Sequence, residues 1–145
     1  MKKLAVLLVL MLAPAFAQSL QVSLGSPFGI NAGVRLPLIP FLLDGRAYAG
    51  LNFFSSGGTS FGGGVDALVS IPLTDVYAGA GLFFGSGNAL SLVNTGTVGA
   101  RGIIGTYLNV GLPLIGIFVE AYPTFYFRPT SAFGLGGAVG VNVGF

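Results

Sequence analysis

The stretch Phe133-Gly134-Leu135-Gly136-Gly137-Ala138-Val139-Gly140-Val141-Asn142-Val143-Gly144-Phe145 decides the fold. Counting back by twos gives Phe145, Val143, Val141, Val139, Gly137 and Leu135. The residues between them are Gly144, Asn142, Gly140, Ala138 and Gly136. One face is large and apolar, the other small or polar, and a period of two is the signature of a strand. A strand with so apolar a flank invites pairing at its edge. Closing onto the first strand of a barrel satisfies it.

Working outward, the same alternation recurs. Strands are expected over Leu20–Gly25, Gly29–Leu36, Gly45–Phe54, Phe61–Ile71, Val76–Phe84, Thr97–Leu112 and Ile117–Phe127, with Phe133–Phe145 as the eighth. Three similar breaks organise them: Leu36-Pro37-Leu38-Ile39-Pro40, Ile71-Pro72-Leu73-Thr74-Asp75 and Leu112-Pro113-Leu114-Ile115-Gly116. Aligning Pro37, Pro72 and Pro113 makes a repeat of hairpins, with proline at strand ends because it cannot donate to a ladder. Pro123 falls inside the seventh strand, where it predicts a bulge or an early strand end. The expected fold is all-β: an eight-stranded antiparallel up-and-down transmembrane β-barrel. The rival is a helical membrane protein, since Gly102 to Val119 carries no charge. Its glycine density opposes a helix, at about 1 kcal/mol per interior glycine.

Met1-Lys2-Lys3, an apolar run from Leu4 to Leu12 and the small residues before Gln18 read as a signal peptide over residues 1–17. The barrel then occupies 18–145. Both lysines leave with the leader, and four arginines balance four carboxylates. No basic patch remains for nucleic acid. Only 7% of residues are charged, against about 25% in soluble domains, so water is a poor match for this surface.

The leader, four hairpins and terminal Phe145 together resemble the small eight-stranded outer-membrane barrels of bacteria, of the OmpA/OmpX type. The resemblance implies export through the inner membrane and residence in outer-membrane lipid. It also implies that the insertion machinery reads the C-terminal strand, and we expect a monomer. Phe53, Phe84, Phe125, Phe127 and Phe145 are expected as aromatics at the membrane interfaces. Phe28, Phe54, Phe61, Phe83, Tyr126 and Phe133 extend the belt on the loop side, and Phe41, Tyr77 and Phe118 the thinner belt on the turn side.

The faces opposite the apolar rows carry Arg35, Arg46, Asp66, Arg101 and Glu120, with Tyr48, Tyr107 and Tyr122. A charge facing lipid at mid-depth costs a few kcal/mol, so these side chains are expected inside. Eight strands leave a lumen that side chains can fill, and arginine's planar fork suits a buried ion-pair network. Inward glycines leave two readings open: room for a narrow pore, or seats for Tyr and Phe rings. A third possibility is surface binding through the loop Gly85–Gly96. Outer-membrane acyltransferase, deacylase and protease barrels rely on histidine. This chain has neither His nor Cys, so no catalytic residue, metal or cofactor is expected. Its role then reads as structural.

Overall fold

The computed structural model describes residues 19–52, 59–86, 96–128 and 130–145. The proposed leader, Phe53, Phe54 and most of the Gly85–Gly96 loop lie outside them. The described residues form eight strands: β1 (Ser19–Gly25), β2 (Gly29–Ile39), β3 (Leu43–Asn52), β4 (Ser60–Ser70), β5 (Val76–Ser86), β6 (Thr97–Asn109), β7 (Ile115–Arg128) and β8 (Ala132–Gly144). Each pairs antiparallel with its successor, and β1 closes the barrel on β8, from Ser19 opposite Gly144 to Gly25 opposite Ala138.

The faces follow from parity. Leu20, Val22 and Leu24 of β1 are exposed on the outside, as are Val65 and Val69 of β4, Leu82 of β5, Ile104 and Leu108 of β6, and Val139, Val141 and Val143 of β8. Their neighbours in sequence point inward, so that Arg46, Asp66, Arg101 and Glu120 are buried beside Leu68, Ile103 and Phe118. The arrangement is the reverse of a soluble barrel: apolar side chains clothe the outside and charges fill the inside.

Glycines make the interior possible. A Cβ on Gly64 would stand 2.5 Å from the Tyr48 hydroxyl. One on Gly62 would overlap the Phe28 ring, one on Gly99 the Phe83 ring, and one on Gly105 the Tyr77 ring. Large rings from one strand thus lie over bare backbone on the next. Of the two readings of the inward glycines, the structure shows the seats.

Three details correct the expectations from sequence. The turns that correspond to one another contain Pro40, Pro72 and Pro113, not Pro37. Pro37 lies within β2 opposite Asp44, and the register shifts between it and Ile39. In each turn the proline precedes a bulky residue at positive φ: Phe41 at 65°, Leu73 at 64° and Leu114 at 66°. Hydrogen bonds from Leu42 N to Ile39 O, Thr74 N to Ile71 O and Ile115 N to Leu112 O span the turns. This is the type II pattern, which ordinarily takes Gly or Asn third. A residue with a Cβ there costs roughly 1–2 kcal/mol.

Second, Pro123 neither bulges nor ends β7. The strand runs straight through it, paired with Leu135 of β8. On the β6 side the register is the same at Arg101–Thr124 and Ile104–Ala121, with no ladder pairs between. The ring sits over Gly102, whose Cβ would lie 3.0 Å from Pro123 Cγ. The register shift of this hairpin lies instead beside Val98 and Gly99. Third, Phe28, Phe83 and Tyr126 belong to no outer belt, and Tyr77 and Phe118 to no belt on the turn side. All five are buried in the lumen.

Candidate functional site: the polar lumen

The strand register brings the charges to one level. Arg46 of β3 stands opposite Asp66 of β4, Asp66 opposite Gly81 of β5, and Gly81 opposite Arg101 of β6. Because Gly81 has no side chain, Arg101 reaches across it to the carboxylate. Arg101 Nη2 donates to Asp66 Oδ2 at 2.8 Å and Nε to Oδ1 at 3.2 Å. From the other side Arg46 Nε donates to Asp66 Oδ2 at 2.7 Å. Arg46 Nη1 donates to Glu120 Oε1 at 2.6 Å, as does the Tyr77 hydroxyl. The Tyr122 hydroxyl donates to Glu120 Oε2. Two arginines and two carboxylates make this cluster neutral, which buried charges require.

Rings fix the guanidinium planes. Arg101 Cζ lies 4.3 Å from the centroids of both Tyr48 and Tyr122, a cation–π arrangement on two sides. Nearer the turns, Arg35 forms a second neutral unit. Its Nε donates to Asp44 Oδ2 at 2.8 Å, and its Nη1 donates to the Tyr107 hydroxyl. Gln21 Nε2 donates to Asn142 Oδ1 at 3.2 Å and to the Tyr107 hydroxyl at 3.4 Å, while Arg46 Nη1 donates to Gln21 Oε1 at 3.4 Å. Gln21 thereby joins the two units.

The structure thus places Arg46, Asp66, Arg101, Glu120 and Tyr122 in one cluster and Arg35 and Tyr107 in another. Tyr48 contributes its ring to Arg101, and its hydroxyl meets no partner among the described residues. The same is true of Asn31 Oδ1 and Arg46 Nη2. The side chains of all three line a cavity of about 20 Å³ shared with Gln21 and Ser23, room for a single water. Tyr77, Asp44 and Gln21 are members that the sequence reading left out. Parity could have found all three: Tyr77 shares the face of Gly79 and Gly81, Asp44 that of Arg46, and Gln21 lies between the outward Leu20 and Val22.

Aromatic and apolar layers bound the network. Towards the loops, Phe83 meets Phe28 edge to face at 6.3 Å and Tyr126 at 5.6 Å. Leu68, Tyr77, Ile103, Tyr122 and Ala138 pack together at its own level. Towards the turns, Tyr107 contacts Tyr77 at 5.1 Å and Phe118 at 6.4 Å. Phe84, Phe125, Phe127 and Phe145 point outward and are exposed.

No protein-family model, curated protein or solved structure matches the chain.

Proposed function

We propose that the chain is an integral protein of the bacterial outer membrane, with a structural, non-catalytic role and a filled polar lumen. One observation carries this reading: the strands of the closed barrel expose Leu, Val, Ile and Phe outward while Arg46, Asp66, Arg101 and Glu120 are buried within. A surface of this kind is stable against hydrocarbon and unstable against water. The outward Phe84, Phe125 and Phe127 near the loops, with Phe145 at the other end, then lie at the two interfaces. Residues 1–17 serve as the cleaved leader for export through the inner membrane, and β8 is the strand offered to the insertion machinery. The partner is outer-membrane lipid and the barrel is a monomer. It uses no cofactor and binds no nucleic acid.

The test is to refold residues 18–145 with phospholipid vesicles and float the vesicles on a density gradient. The barrel is expected to float, with a β spectrum that persists on heating. A folded monomer left in the aqueous fraction would sink the reading. The filled interior favours a closed wall over a narrow solute pore, so planar bilayers carrying the protein are expected to show no unitary conductance. Stepwise currents abolished by Arg101→Ala would instead establish the pore.

A further inference from the structure

Membrane barrels need water-facing turns only if the turn end leaves the membrane. Here the turn tips are apolar. Phe41 is 98% exposed, Leu73 105% and Leu114 70%. All three occupy the positive-φ position of a Pro-X turn, where Gly or Asn would be unstrained and, for Asn, polar. The same unfavourable choice appears in every turn at this end. The flanking side chains Leu38, Leu42, Ile71 and Leu112 are also exposed and apolar.

The tips stand at three corners of the rim. Phe145, also exposed, stands at the fourth, beside the β1–β8 seam. Leu114 joins that corner, since its carbonyl accepts from Gly144 N at 2.7 Å. Exposed apolar surface therefore stands at all four corners of the rim. It is also continuous with the outer wall, where Leu38 folds over Gly45. A protein partner approaching from one direction would call for a patch on one side. A ring at all four corners fits a medium that surrounds the barrel. The exposed charged side chain at this rim, among the described residues, is that of Asp75. Arg35 and Asp44 are paired inside. With no exposed cationic side chain at the rim among the described residues, the tips themselves offer anionic headgroups no attraction, and the contact is with acyl chains.

We propose that the turn end is a lipid anchor, with Phe41, Leu73 and Leu114 sunk into the headgroup–acyl boundary of the inner leaflet. This rests on the membrane reading above, and the experiment separates the two. The chain contains no Trp, so single reporters are clean: Leu73→Trp and Leu114→Trp at the tips, and Ile104→Trp on the wall. Each is refolded into phosphatidylcholine vesicles brominated near the glycerol or near the acyl terminus. The tip reporters are expected to be quenched by shallow bromines and shielded from aqueous iodide, and the Ile104→Trp reporter to be quenched by deep bromines. Tips open to iodide and untouched by bromine, with the wall reporter still quenched, would overturn the anchor alone. A wall reporter untouched by either bromine would overturn the membrane reading and the anchor with it. A triple variant, Phe41→Asn, Leu73→Asn and Leu114→Asn, suits the turn backbone and keeps the barrel in micelles. Its insertion into preformed vesicles is expected to be slower than the parent's, since the turn end has lost apolar surface that lipid would bury. An unchanged rate would refute the anchor.

Discussion

Glu120 accepts from Arg46, Tyr77 and Tyr122, so three strands depend on one carboxylate. Glu120→Ala strips Arg46 of one of its two ion pairs inside the barrel, and the loss of folded stability should be about 3–5 kcal/mol. Glu120→Gln keeps an acceptor and should cost less. Urea unfolding of the refolded protein measures both, and equal losses would contradict the assigned geometry. Glycines offer a sharper contrast. At Gly81 an added Cβ would overlap Asp66 Oδ1, whereas at Gly116 it would meet only Tyr107 Cδ1 at 3.7 Å. Gly81→Ala should therefore cost about 1–3 kcal/mol, the range typical of overpacking. Gly116→Ala should lie within about 0.5 kcal/mol of the parent.

Between β6 and β7, Pro123 withholds a donor from the ladder and Gly102 makes room for its ring. Pro123→Ala should restore the missing hydrogen bond and stabilise the hairpin by about 1 kcal/mol. Gly102→Val should destabilise it. Amide exchange at Gly102 and Ile103 reads both directions, with Pro123→Ala expected to slow it. The strands themselves were legible from the sequence because parity repeats over ten or more residues, as in β8, and errors average out. Aromatics at strand ends were harder to read. Phe28 lies in a short turn, where parity has no anchor, and proximity to the loops suggested a belt. The inward ring is dictated by the empty space over Gly50, Gly62 and Gly85, which lie on two other hairpins. The proline repeat misled for a related reason. Leu36-Pro37-Leu38-Ile39-Pro40 contains two candidate prolines, and only the register of β2 with β3 shows which one turns. The charged cluster was legible as a set of inward residues. Its division into two neutral units was not, because Arg35 and Arg46 stand opposite one another and only three-dimensional reach decides which carboxylate each takes.

At the scale of the molecule, the ion pairs are sheltered and the exterior of the strands carries no charge among the described residues except Arg128 at the end of β7. Salt screens exposed charges within about 10 Å at 0.1 M and reaches buried pairs far less. The urea midpoint should thus shift little between low salt and molar salt; a marked fall would place the pairs in water. The seam between β1 and β8 has a consequence in time. Hairpins such as β4–β5 and β6–β7 join segments made in succession, and each can form soon after it is made. Ser19–Gly25 cannot: its partner on one side is Ala138–Gly144, at the far end of the chain. Contacts of such long sequence separation form slowly. Until they form, both flanking strands present bare edges that invite the wrong partner. The earliest residues of the barrel are the last to be locked, so the whole length must be kept apart from its own copies until the circle shuts.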